Sequence, residues 1–217
     1  MIEQLLPASA AASDMLGDDP TAYLLEAEQA LVARTVEKRR REFTGGRRCA
    51  RRALAELGFP ETPILSGAKR EPLWPPGVVG SITHCQGYCA AAVARDTELS
   101  ALGIDAEPHA PLPEGVLAAV SLPDERAWLA RLADGDTHWD RFLFSAKESV
   151  YKAWFPLIGT WLGFEDARIT VDPAERTFHA DLLVPVPDVD GTPLTTFTGR
   201  FMINNGLVIT AVVLPAR

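Results

Sequence analysis

Asp105 and Glu107 stand two residues apart in the segment ALGIDAEPH, with the apolar Ile104 and Ala106 interleaved. In an extended strand that spacing sends both carboxylates out of one face and both apolar side chains out of the other, with Cα atoms about 7 Å apart. Pro108 then ends the strand. Two carboxylates on a rigid strand can converge on one hard cation, which takes oxygen ligands, and Glu148 is the natural third. A site of carboxylates without His or Cys suits Mg²⁺, or Mn²⁺, better than zinc, and such an ion takes its remaining ligands from water and a phosphate. The chemistry indicated is phosphoryl-type transfer, in which metal and cationic side chains hold the substrate and neutralise charge developing on phosphorus.

Glu148 and Lys152 lie in FLFSAKESVYKAWFP, Phe142 to Pro156. There Leu143, Ala146, Val150, Ala153, Trp154 and Leu157 recur at spacings of three and four, the pattern of a helix with one buried stripe. At about 100° per residue Glu148 and Lys152 fall nearly opposite that stripe, one turn apart. An exposed pair of this kind is ordinarily a weak ion pair. Only four of the 21 Lys and Arg residues are Lys, however (Lys38, Lys69, Lys147, Lys152), and two of them fall in this helix. Lys is a compact, mobile charge whose pKa can be tuned, so Lys147 and Lys152 are candidates for chemistry.

The net charge of −8 hides an asymmetry. Nine basic residues between Arg34 and Arg52 face only Glu37 and Glu42, a local +7 that leaves −15 for the remainder (−8 minus +7). A basic patch on an acidic protein indicates a polyanionic partner: phosphates of a small ligand, nucleic acid or an acidic protein. The three cysteines, Cys49, Cys85 and Cys89, lack the spacing of zinc or redox motifs and read as buried, reduced side chains. No apolar run reaches membrane-spanning length, and an acid stands in the first residues where a secretory signal would carry Lys or Arg, so a cytoplasmic protein without membrane contact is expected.

These residues need particular elements to position them. Asp18, Asp19 and Pro20 read as a helix start, with helical periodicity running to Leu57 and a break near Thr44, Gly45 and Gly46. An irregular Pro- and Gly-rich connection from Pro60 to Gly80 carries Lys69 and Arg70. VVGSITHCQGYCAAAVARD reads as a hairpin turning at Gln86 and Gly87, and a third strand runs from Leu99 to Glu107. Ser121 starts another helix ahead of the one holding Glu148. Strands follow in ARITVD, TFHADLLV and TTFTGRFMINNGLVITAVVL, the last turning at Asn205 and Gly206. Gly87, Tyr88, Ala92 and Val93 match Gly206, Leu207, Ala211 and Val212 at a constant offset of 119, each hairpin preceded by a long helix. An α+β chain of two similar halves is expected, each a long helix on a small antiparallel sheet, with a ligand site between them. The halves divide as residues 1–103 and 104–217.

GIDAEP at Gly103 to Pro108, followed some forty residues later by FSAKESVYKAW at Phe144 to Trp154, resembles the paired signature of the 4′-phosphopantetheinyl transferases. The likeness is to the stand-alone, two-halved type that activates peptide and polyketide synthetases, in the branch of the siderophore-synthetase and actinobacterial enzymes. REFTGGRRCARRAL, KREPLWP and GSITHCQGY extend it, in order, from about Arg39 to the last strand. The resemblance implies coenzyme A in the cleft between halves and attack on its β-phosphate by a serine of an apo acyl or peptidyl carrier protein. The 4′-phosphopantetheine arm is transferred and adenosine 3′,5′-bisphosphate leaves. It implies Asp105, Glu107 and Glu148 as metal ligands, and Glu148 with Lys152 as the pair that deprotonates the serine. Arg39, Arg40, Arg47, Lys69 or Arg70, Thr83 and His84 would meet the nucleotide phosphates, and Lys147 the pyrophosphate. Two halves in one chain make a monomer the expected state.

The basic patch would also attract the acidic helix of a carrier, with Arg51 and Arg52 as the contacts to test. Two other readings use the same residues: a metal-dependent phosphodiesterase or nuclease, and a non-catalytic nucleic-acid-binding protein built on the Arg-rich helix. The −15 remainder and the lack of interleaved aromatic and basic residues oppose both, so no nucleic-acid partner is expected.

Overall fold

Gly87 and Gly206 each take the second place of a two-residue turn, with φ of 76° and 71°, where only glycine sits without strain. The computed structural model describes residues 1–132, 135–189 and 191–216, and these two turns anchor its two halves. In the first, β1 (Ala10–Leu16) is followed by α1 (Glu26–Gln29) and the long α2 (Glu37–Glu56). The short strands β2 (Leu65–Ser66) and β3 (Pro72–Leu73) pair with each other, and β4 (Val78–Cys85) and β5 (Tyr88–Arg95) form the Gly87 hairpin. Strand order is β1-β5-β4, antiparallel throughout.

The second half repeats that plan with additions. It runs β6 (Leu99–Pro108), α3 (Val116–Val120), α4 (Pro123–Arg131), α5 (Trp139–Ile158), β7 (Ala167–Asp172), β8 (Thr177–Leu182), the two-residue strands β9 (Asp188–Val189) and β10 (Thr192–Pro193), and the Gly206 hairpin of β11 (Thr196–Asn204) and β12 (Leu207–Pro215). The sheet order is β6-β12-β11-β8-β7. β1 pairs with β5 as β6 pairs with β12, and α2 and α5 lie against the corresponding strand pairs. The fold is α+β in two similar halves.

Each half is locked by a buried carboxylate of the same design. Glu28 is 0% exposed and accepts from the backbone N–H of Leu25 and Ile64 and from Arg51 of α2, the last at 2.8 Å. Glu125, also 0% exposed, accepts from the N–H of Leu122 and Ile169, and pairs with Lys147 of α5 at 2.7 Å. In both, the acid of a short helix closes its own N-terminus and neutralises a cation buried on the long helix.

The halves meet along β4 and β6. No backbone ladder joins these strands; Ser81 Oγ accepts from Ile104 N–H at 3.1 Å and Thr83 Oγ1 from Ala106 N–H at 3.0 Å. Leu102, Ile104 and Ala106 pack with Ile2, Leu5 and Tyr88 into an apolar layer between the sheets. A division between residues 103 and 104 falls within β6, whose strand continues from Leu99 to Pro108; the sheets part at the turn over residues 96–98.

Three local expectations change. Asp18–Pro20 does not start a helix: Asp19 accepts from the N–H and hydroxyl of Thr21 and pairs with Arg48, a turn instead. α2 runs unbroken through Gly45 and Gly46, because these glycines let it press on the first sheet; a Cβ there would come within 2.8 Å of Cys89 Sγ and 2.9 Å of Ile82 Cγ2. α4 begins at Pro123 rather than Ser121, with Glu125 closing its first turn.

Candidate active site

The alternation of β6 does what the sequence requires of it. Ala101, Gly103, Asp105 and Glu107 face α5, and α5 approaches so closely at Gly103 that a Cβ there would lie 2.0 Å from the Ser149 carbonyl oxygen. That approach brings Lys152 Nζ to 2.7 Å from Asp105 Oδ1. Leu143, Ala146, Val150, Ala153 and Trp154 fill the core on the helix's other side, so Glu148 and Lys152 are left at the join between halves, half-buried.

Asp105 is 4% exposed. Thr83 Oγ1 donates to its Oδ1 at 3.2 Å, while its Oδ2 is buried with no hydrogen-bond partner among the described residues. Arg141 holds Glu107 through Nη1 to Oε2 at 2.9 Å, and its remaining donors tie down the carbonyls of Ala110 and Pro111. Burial first, then the charge of Asp105, push the Glu107 and Glu148 carboxyls above the usual range, against the opposing pull of Arg141 and Lys152 respectively and, weakly, of Lys152 on Glu107. This is an anionic cluster short of positive charge. The orphaned Oδ2 and the all-carboxylate donor set fit a hard divalent cation. Among the described residues, however, no three acidic, His or Cys side chains gather closely enough to enclose an ion. The expected convergence of Asp105, Glu107 and Glu148 is thus not closed: Lys152 and Arg141 occupy the carboxylates instead.

Beside this cluster runs a cleft of three neighbouring cavities that share lining residues. The widest, about 420 Å³, lies between α2, the 66–72 segment and β4, and Arg39, Arg47, Arg70 and His84 line it. Arg47 is fixed there, with Nε to the Ile64 carbonyl at 2.7 Å, Nη2 to Ser66 Oγ at 3.0 Å and its guanidinium 4.0 Å from the Phe43 ring. Burial lowers its pKa to about 10, which leaves it charged at neutral pH. This space shares Arg70, Pro72 and Ile82 with a second of about 170 Å³, lined also by Lys69, Glu148 and Lys152. The second shares Glu148 and Tyr151 with a third of about 130 Å³, lined also by Lys147, Trp161, Leu162 and Phe164. The cleft is cationic at one end, carries both charges of the Glu148–Lys152 pair in the middle and is largely apolar at the other end.

Sequence and structure part over several residues. Thr83 is buried and orients Asp105, so it faces the carboxylate and not the cavity. Lys147 is 3% exposed and gives donors to Glu125 and the Phe164 carbonyl, at 2.7 and 2.6 Å, so it is tied into the packing of the second half while also lining the third cavity. Arg40 is exposed, reaches the Val32 carbonyl and does not line the cleft. Arg51, 8% exposed and held by Glu28, offers no surface to a partner, whereas Arg52 is exposed. Arg70, at φ 69°, reaches both larger cavities and Lys69 only the middle one. Glu42, Arg141 and Trp161 join the site without any local signal that would single them out.

Known proteins match along the whole chain. A model described as 4′-phosphopantetheinyl transferase N-terminal domain matches residues 27–94, and one described as 4′-phosphopantetheinyl transferase superfamily matches residues 101–186. The chain is 54% identical over 221 residues to the 4′-phosphopantetheinyl transferase Svp of Streptomyces mobaraensis, covering 100% of this chain and 90% of the relative. It is 52% identical over 220 residues to Npt of Nocardia iowensis, at 98% and 99% coverage, and 49% identical over 222 residues to PptT of Mycobacterium tuberculosis, at 99% and 98%; both carry the same enzyme name.

Proposed function

The chain belongs to the 4′-phosphopantetheinyl transferase family and transfers 4′-phosphopantetheine from coenzyme A to carrier proteins, and we propose that the three-cavity cleft holds coenzyme A along its length. The nucleotide and its phosphates take the wide end against Arg39, Arg47, Arg70 and His84, where permanently charged guanidinium groups suit a bidentate grip. The pyrophosphate lies in the middle beside Lys69 and Lys152, and the pantetheine arm enters the narrow end at Tyr151 and Trp161. The observation that carries this reading is that the cationic cavity shares Arg70, Pro72 and Ile82 with the cavity lined by Glu148 and Lys152.

The carrier's serine attacks the β-phosphorus. The new Oγ–P bond replaces the bond to the bridging oxygen, and adenosine 3′,5′-bisphosphate leaves. Lys152 is engaged as a donor to Asp105, while no hydrogen bond reaches the Glu148 carboxylate among the described residues. Glu148 is therefore the group that takes the serine proton, its basicity raised by burial and by Asp105. Lys152 stabilises the negative charge that develops on the phosphate oxygens. Asp105, Glu107 and Glu148 would hold a divalent cation, Mg²⁺ or Mn²⁺, which when bound adds to that neutralisation. Thr83 and Arg141 fix the orientation of Asp105 and Glu107.

Coenzyme A and apo acyl and peptidyl carrier proteins are the partners in this reading, with neither nucleic acid nor membrane, and the working unit is a cytoplasmic monomer. Two observations support it: no helix among the described residues is long and apolar enough to cross a membrane, and both sides of the cleft come from one chain. Intact-mass measurement of an apo acyl carrier protein incubated with the protein, coenzyme A and Mg²⁺ is the test. One added phosphopantetheine arm is expected, and none in EDTA; transfer that persists in EDTA refutes the cation assignment, and no transfer to any of several carriers refutes the reading.

A further inference from the structure

Among the described residues Glu42 is the one acid lining the wide cavity, whose other ionisable side chains are Arg39, Arg47, Arg70 and His84. A carboxylate there repels a phosphate ligand. α2 places it one turn from Arg39, and its carboxylate lies 3.6 Å from Arg39 Nη1, 3.7 Å from His84 Nδ1 and 4.0 Å from Lys38 Nζ. The other ring nitrogen, His84 Nε2, is hydrogen-bonded to Arg39 Nη1. A guanidinium has donors only, so Nε2 supplies the lone pair and the ring proton sits on Nδ1, towards Glu42. His84 is neutral in this arrangement. Burial above all, then Arg39 from α2 and Lys152 from α5, hold its pKa down to about 4, while Glu42 and Asp105 from β6 pull the other way.

A phosphate that engages Arg39 takes the guanidinium away from Nε2. The ring would then turn a lone pair towards an anion, an unfavourable contact unless Nε2 gains a proton. We propose that Glu42 is a positioning residue for phosphate recognition: its carboxylate faces the Nδ1 side of His84 at 3.7 Å and compensates the imidazolium, so that phosphate binding is coupled to uptake of one proton at His84 Nε2. This deepens the assignment of the cavity to coenzyme A phosphates and rests on it. The proton comes from solvent, Nε2–H then donates to a phosphate oxygen, and Glu42 stays ionised. Affinity falls by up to tenfold per pH unit between the free-state pKa of His84, about 4, and its higher bound-state pKa, the range in which binding takes up the proton.

Calorimetric titration of the full chain with adenosine 3′,5′-bisphosphate, at pH 7.5 in two buffers of different ionisation enthalpy, reads the protons taken up. The ligand's own phosphates, with a second pKa near 6, are mostly ionised at that pH. The wild type is expected to take up close to one proton. Glu42→Gln, nearly isosteric at a side chain 20% exposed, should take up almost none and bind about tenfold more weakly or worse, with Glu42→Asp recovering part of both. A thermal melt of each variant separates this from misfolding. Proton uptake in Glu42→Gln equal to wild type, or tighter binding as expected for loss of a merely repelling acid, overturns the proposal. Failure of the underlying assignment looks different: Arg39→Ala and Arg47→Ala would both bind the nucleotide as well as wild type, which overturns the phosphate site and this inference with it.

Discussion

Gly103→Ala tests the contact on which the site is assembled. An added Cβ would sit 2.0 Å from the Ser149 carbonyl oxygen and 2.6 Å from the Ala153 nitrogen, where ordinary contact begins at 3.4 Å. Both obstacles are helix backbone, so no rotamer change relieves them, and α5 must move off β6 by roughly 1.4 Å, the difference between 3.4 and 2.0 Å. Overpacking against a core costs about 1–3 kcal/mol, and a backbone obstacle belongs at the upper end. With a urea slope of about 2–3 kcal/mol/M the unfolding midpoint should fall by about 1 M. Activity should suffer more than stability. The same movement stretches the 2.7 Å contact of Lys152 with Asp105 and shifts Glu148 with it, and a misplacement of about 1 Å is enough for a 100-fold loss of rate. Measured well below the denaturation midpoint, kcat should drop about 100-fold while the protein remains folded. A variant with an unchanged urea midpoint, or with a lowered midpoint and full kcat, refutes the claim that this glycine sets the distance between helix and strand.

Asp105→Asn and Glu148→Gln, which keep size and remove charge, should each reduce transfer by about 100-fold or more with melting temperatures close to wild type; either variant retaining most activity excludes its residue from the chemistry. Lys147→Ala should act on stability, because it leaves Glu125 buried without its cation, at a cost of about 3–5 kcal/mol in chemical denaturation; a stable variant with a raised KM for coenzyme A would return Lys147 to the pyrophosphate. Arg51→Glu should fail to fold, since it sets a second carboxylate against Glu28. Arg52→Glu should fold and raise the carrier KM several-fold at low ionic strength without changing that for coenzyme A; a carrier KM that does not move excludes electrostatic attraction by this residue.

Much of the architecture was legible in the chain because it rests on local periodicity. Apolar spacing of three and four identifies α5 and its buried stripe, alternation puts Asp105 and Glu107 on one face of β6, and the glycines of Gln86-Gly87 and Asn205-Gly206 mark both hairpin turns. Those rules fix where a side chain points relative to its own element. What it meets there is decided by segments distant in sequence. Lys147 and Lys152 are one and a half turns apart on the same helix, yet α4 brings Glu125 to the first and β6 brings Asp105 to the second, so one becomes a buried strut and the other part of the site. Arg51 and Arg52 are neighbours, and only Arg51 falls under the Glu28 carboxylate. Gly45 and Gly46 resemble a helix break until the sheet they must approach is in place. Local sequence pattern determined α5, β6 and the two hairpins, the faces their side chains take, and the family signature. The tertiary structure alone decided which charges are paired and which remain free to act, because the free energy of a charge depends on the burial and partners that other elements supply.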